Sequence, residues 1–91
     1  MQKIRTTVRI AGREYTIAST DSEEYVGRVA AWVDRRMAEL GAATHLPAAQ
    51  LAVLTAVNAA DDMMKSRDEI RRLEAELDAL RGQLEKSAAD A

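Results

Sequence analysis

The stretch that most constrains this chain is the run from Leu46 to Leu84. Its first part is apolar almost all round, with Leu51, Ala52, Val53, Leu54, Ala56, Val57, Ala59 and Ala60. Its second part narrows to Ile70, Leu73, Leu77, Leu80 and Leu84, spaced 3, 4, 3, 4. The first pattern belongs to a helix buried on several sides, the second to a coiled-coil seam. After Pro47 neither Gly nor Pro interrupts the run as far as Arg81, so one continuous helix is the economical reading. From Pro47 to Lys86 it would span roughly 60 Å at 1.5 Å per residue. A chain of 91 residues cannot wrap such a rod by itself. It needs surface from other copies.

The preceding 46 residues are too few for a sizeable independent core, which again points to oligomers. The sequence contains no Cys, so disulfide staples, thiolate nucleophiles and Cys-based metal sites are excluded. The opening MQKIRTTVRI alternates and carries charge, unlike a signal peptide. No window approaches 18 consecutive apolar residues, so the chain reads as soluble and cytoplasmic, without a membrane partner. Net charge is −2, unevenly divided. Residues 1–36 hold seven Lys/Arg against five Asp/Glu, hence +2; residues 37–91 hold six against ten, hence −4. A mildly basic head before an acidic stalk lacks the basic stripe of a nucleic-acid binder. It suits a head that meets an acidic protein surface.

Ile4, Thr6, Val8 and Ile10 alternate with Arg5, Thr7 and Arg9, the period of a half-buried strand. Gly12-Arg13 reads as a type II′ hairpin loop, pairing Ile10 with Tyr15 and Val8 with Ile17 on one apolar face. A hairpin alone is marginal and needs cover on that face. Ser19-Thr20-Asp21-Ser22 breaks the strand and offers several N-caps for a first helix, of which Thr20 with Glu23, or Asp21 with Glu24, would form a capping box. That helix carries Val26, Val29, Ala30, Val33, Met37 and Leu40 on one face. Glu24, Arg28 and Arg35 lie opposite, with Tyr25 and Trp32 on a flank. Gly41 reads as its C-cap, and Pro47 as the first residue of the long helix.

With Ile70 at heptad position a, Ile70, Leu77 and Leu84 fall at a and Leu73 and Leu80 at d. Ser66 takes a d position, so the seam is weak between the two regimes. In a parallel pair Glu76 meets Arg81, which attracts, but Glu69 meets Glu74, which repels. The charges favour neither orientation. Gly82 and the tail from Ser87 to Ala91 predict fraying.

No catalytic constellation emerges. His45 stands alone in a short loop, and Asp61-Asp62 and Asp68-Glu69 lack metal-loop spacing. The four Gly residues are isolated, so no phosphate loop forms. The residues around Lys65 hold four acids to two bases, which excludes a basic-zipper contact with DNA. Enzyme activity, cofactors and metals are therefore not expected. Asn58, amid apolar neighbours, reads as a hydrogen-bonded polar residue fixing register near a dimer axis, or else as a partner contact. Trp32 reads as core or rim packing, or as a partner contact. Arg9, Arg13, Arg28, Arg35 and Arg36 each pass for ordinary surface residues. Their concentration in the head, one at a hairpin tip, makes them candidate contacts for a protein.

The arrangement resembles the ZapA family of bacterial cell-division proteins. The resemblance rests on Val8-Arg9-Ile10-Ala11-Gly12-Arg13-Glu14-Tyr15-Thr16-Ile17 for the hairpin and on Glu23-Glu24-Tyr25-Val26 with Val29 to Met37 for the first helix. It rests further on the alanine-rich block Ala52 to Asp62 around Asn58, and on the heptad tail. It implies a non-enzymatic regulator, cytoplasmic and at mid-cell, that binds the tubulin-like GTPase FtsZ. It also implies dimers through heads and adjoining helix, and dimers of dimers through coiled coils, able to cross-link FtsZ filaments. Arg13, directly after the turn Gly, matches the family pattern best. The loop Gly41 to Leu46 departs from the charged loops common in the family.

The fold expected is α+β and mostly α. Residues 1–46 form a head of β-hairpin and short helix, and 47–91 a long helix that forms a coiled coil in an oligomer. Within it, 47–64 is a dimer-core block, 65–86 a stalk and 87–91 a frayed tail. Leu51, Leu54, Val57 and Asn58 are assigned to the dimer; Ile70, Leu73, Leu77, Leu80 and Leu84 are assigned to the seam. The alternative function is an oligomerisation module that joins copies through its coiled coil and has no filament partner.

Overall fold

A computed structural model describes residues 2–90. The elements follow in the order β1 (Ile4–Ile10), β2 (Arg13–Ser19), α1 (Glu23–Thr44) and α2 (Ala48–Asp90). The described residues are mostly helical, with one two-stranded antiparallel sheet. By internal contacts the chain divides into two compact units, one closing at Ala56 and the other opening at Val57, inside α2.

The hairpin forms, but in a different register from the one the Gly12-Arg13 loop predicts. Ile10 pairs with Arg13, Val8 with Tyr15 and Thr6 with Ile17. The loop is Ala11-Gly12, with φ of 53° and 79°, both left-handed as a type I′ turn requires. Cross-strand pairing supplies the reason. This register sets Arg9 opposite Glu14 and Thr7 opposite Thr16, and the two threonine hydroxyls lie 3.5 Å apart. Opposite charges and paired threonines are favourable neighbours across strands. The alternative would have set Arg9 against Thr16 and Ala11 against Glu14. Because the pairing shifts by two residues, every side chain keeps the face that alternation gave it.

Helix α1 packs on β1 and buries Thr6 and Val8 of that strand. Val8, Val26 and Ala30 form the small core, with Ile10 packed against it. Thr6 is buried there too, and its hydroxyl has no hydrogen-bond partner. Met37 is buried further along α1, whereas Val29, expected on the same face, is 47% exposed. The cap is Ser22, not Thr20 or Asp21. Its hydroxyl accepts the Tyr25 N–H at 3.2 Å, while Asp21 is engaged with Ser19, whose hydroxyl accepts its N–H at 3.0 Å.

The far end of α1 also differs from expectation. Gly41 does not end the helix, which continues through Ala42, Ala43 and Thr44. The cap is His45, left-handed at φ 57°, donating its N–H to the Gly41 carbonyl at 3.0 Å. Alanines propagate a helix well, and His is among the residues that tolerate positive φ. Gly41 has a different role, close approach: a Cβ there would meet Leu51 Cδ2 at 3.1 Å. Pro47 precedes the first helical residue of α2 by one position, and its carbonyl accepts the Leu51 N–H at 2.9 Å.

Helix α2 runs without a break across the weak seam position Ser66 and across Gly82. It remains helical through Ser87–Asp90, where composition predicts fraying; Ala91 lies outside the described residues. No single helix among the described residues is apolar enough over its length to cross a membrane.

Candidate functional site

The first unit offers two kinds of surface, one polar and one apolar. The polar one is built from the five arginines, which the fold distributes rather than gathers. Arg9 points to the sheet face away from the core, beside Glu14 on the neighbouring strand. Arg13 stands on the other face, directly across from Ile10. Arg28 and Arg35 lie seven residues apart on α1, so they share a line along that helix. The Arg28 guanidinium lies over the Tyr25 ring, 5.5 Å from its centroid, a cation–π contact on the surface. Arg36 is partly covered and ion-paired with Glu39 at 3.2 Å.

One contact links the hairpin tip to α1. The Ala11 N–H donates to Asp34 Oδ1 at 2.8 Å. It ties the residue before the turn Gly to the position adjacent to Arg35 and Arg36. Arg13 therefore leaves a turn anchored on the same helix that carries three of the other arginines. Nothing in the periodicity singles out Asp34. The signal available in the sequence was Ala11 itself, an unusual first residue for a turn of this hand.

The apolar surface begins where the small core stops. α1 covers β1, leaving Tyr15 48% and Ile17 37% exposed on β2. Beside them an open hollow of about 770 Å³ is lined by Ile10, Arg13, Tyr15, Met37, Ala48 and Ala52, among others. Trp32, read as core or partner contact, is 41% exposed on α1. Leu51 and Leu54 are half-buried. Thr55 is the buried residue of α2, its hydroxyl donating to the Leu51 carbonyl at 2.8 Å. That bond within the helix satisfies the hydroxyl and lets a polar residue be buried, which apolar patterning alone does not anticipate.

In the second unit Val57 is 61% exposed and Asn58 half-buried. The heptad residues Ile70, Leu73, Leu77, Leu80 and Leu84 are 47–72% exposed. The flanks of this row are charged and paired along the helix. Arg72 binds Glu69 and, at 2.6 Å, Glu76. Lys65 meets Asp61 at 2.9 Å. The Glu69 carboxyl is held below its ordinary range by the bond from Arg72. Lys65 is raised, first by its hydrogen bond to Asp61 and then by that carboxylate's charge. Among the described residues no group of His, Asp or Glu is placed to hold a metal ion.

Fold and surface define a class: a small hairpin-and-helix unit followed by a long helical segment whose apolar row is exposed. The family model described as cell division protein ZapA matches residues 6–91. Two proteins named cell division protein ZapA are similar to the chain. That of Halalkalibacterium halodurans is 50% identical over 74 residues, covering 80% of this chain and 81% of the relative. That of Geobacillus thermodenitrificans is 45% identical over 76 residues, covering 82% and 84%. A solved structure described as a ZapA mutant dimer from Geobacillus stearothermophilus superposes with a TM-score of 0.69 at 40% identity, covering 85% of this chain and 91% of that one. The chain belongs to the ZapA family of cell division proteins.

Proposed function

We propose that this chain is a non-enzymatic regulator that binds FtsZ and cross-links its protofilaments, promoting assembly and stability of the division ring at mid-cell. The reading rests on family membership joined to one structural observation. The chain has two uncovered apolar surfaces, one in each unit, while its head arginines remain at the surface. Leu51 and Leu54 of the first unit, and Val57 and Asn58 of the second, are the residues on which a second copy forms the dimer. The similar structure, described as a ZapA mutant dimer, supports self-association. The row from Ile70 to Leu84 joins two dimers through a coiled coil, since an exposed apolar stripe of this period is the ordinary coiled-coil seam.

A tetramer of this kind presents several heads and so can engage more than one filament. Arg13, Arg35 and Arg36 are the central contacts for an acidic surface of FtsZ, with Arg9 and Arg28 outside them. The test is sedimentation of FtsZ polymers with wild-type protein and with Arg13→Ala combined with Arg35→Ala. Wild type increases the pelleted FtsZ and the double variant does so far less. Undiminished pelleting by the double variant would remove the arginines from the contact. Failure of wild type to bind FtsZ at all would leave the oligomerisation module as the reading.

A further inference from the structure

We infer that Asp34 is a positioning residue for the head contact, holding the hairpin tip in the turn conformation that presents Arg13. The inference rests on the proposed role of the head arginines and adds a residue to it. Its starting point is an anomaly at Ala11. A type I′ turn needs positive φ at both central residues and favours Asn-Gly, Asp-Gly or Gly-Gly. Gly12 satisfies the second position at φ 79°, but the first is Ala11 at φ 53°, where a Cβ is crowded. Ala has no side-chain group to stabilise itself there, unlike Asn or Asp.

Asp34 supplies the missing interaction from outside the turn. Its Oδ1 accepts the Ala11 N–H at 2.8 Å, across 23 positions of sequence. A carboxylate accepting a backbone N–H is a charge-assisted bond, stronger than a neutral one. The contact fixes the amide orientation of the strained residue and pins the tip to α1. Arg13 pairs with Ile10 at the first rung beyond this turn, so the direction in which it leaves the sheet depends on the turn keeping its hand. If the turn relaxed to another type, the first rung would change and Arg13 would be re-aimed. That re-aiming is no minor shift, since the Gly12-Arg13 loop that the sequence also permits would place Arg13 inside the turn.

The experiment uses the full chain and four variants: Asp34→Ala, Asp34→Asn, Asp34→Ala with Ala11→Asn, and Arg13→Ala. Two readouts are taken: hydrogen exchange of the residue-11 amide by NMR, and FtsZ affinity by sedimentation. Asp34→Ala should speed exchange at residue 11 and weaken FtsZ binding roughly threefold to tenfold, the net scale of one solvent-exposed hydrogen bond. Asp34→Asn keeps an acceptor oxygen and should restore most of both. The double variant replaces the strained Ala with the residue this turn favours, and should recover FtsZ affinity without Asp34. A role for Asp34 in general stability, or as a direct contact with FtsZ, would show no such recovery.

Unchanged exchange at residue 11 in Asp34→Ala would overturn the inference, as would faster exchange with full FtsZ affinity. Failure of the double variant to recover affinity would overturn it too. If Arg13→Ala binds FtsZ normally, the reading of the arginines fails, and the claim that Asp34 presents Arg13 falls with it. The amide readout then still shows whether Asp34 holds the turn, so the two failures are told apart.

Discussion

The two units of this chain are ordered by different physics. The unit that closes at Ala56 contains every buried residue among those described: Thr6, Val8, Val26, Ala30, Met37 and Thr55. It is held by packing of α1 on β1, by the Ser22 cap and by the long-range bond from Ala11 to Asp34. The unit that opens at Val57 has no buried residue among those described. Its order comes from the backbone of α2 and from ion pairs three and four residues apart, Asp61–Lys65, Asp68–Arg71, Glu69–Arg72 and Arg72–Glu76. Such exposed pairs contribute little to a helix, and the apolar row beside them stays largely exposed. The comparison teaches that the first unit has the beginnings of a core, whereas the second has no buried residue among those described and leaves its apolar row exposed.

The sharpest way to break the comparison is a charge on the seam. Leu77→Arg should abolish association through the second unit, halving the mass seen by light scattering, while the NMR signals of the first unit stay in place. In the proposed coiled coil a cation at an a position would face its own copy, and burying such a charge unpaired is costly. A mass unaffected by the change would mean that the heptad row is not the contact between dimers.

A smaller effect is expected in the first unit. Met37→Ala should destabilise it by about 2 kcal/mol, the low end for removing a buried Met side chain, because the site borders an open hollow. A clearly larger loss, measured by denaturant unfolding at several protein concentrations, would show that a second copy packs on Met37. That outcome would sharpen the contrast by moving part of the first unit's core into the interface.

The smallest effect concerns pH. The carboxyl of Glu69 is depressed in the folded helix, so its contribution is present above the ordinary carboxylate range and is lost as pH falls through the lowered value. Lys65 is raised, so its contribution holds below the ordinary lysine range and is lost as pH climbs through the raised value. Both groups lie on the exposed surface of the helix. Far-UV circular dichroism should therefore show only a slight loss of helix at either extreme, and the loss should shrink in high salt. A large acid transition confined to the second unit would contradict this account of its stability.

Periodicity carried the elements well. The alternation from Ile4 to Ile10 is a strand, the spacing Val26, Ala30, Met37 marks the buried side of α1, and the uninterrupted run after Pro47 is one helix. These follow from local rules, since strand and helix periods are written directly into which side chains share a face. The order of these pieces also sufficed to place the chain in its family. Whatever depends on two distant residues meeting was decided by tertiary structure. Two turn types were compatible with Ala11-Gly12-Arg13, and the choice fell to cross-strand pairs and to Asp34 on α1. Gly41 reads in the sequence as a helix stop, yet it lies inside α1, where the near approach of Leu51 leaves little room for a Cβ. The five arginines looked like one group in the sequence, but the sheet separates Arg9 from Arg13 by turning them to opposite faces. Local pattern determines which elements form and which side is apolar; contacts between remote residues determine where each element ends and what it presents.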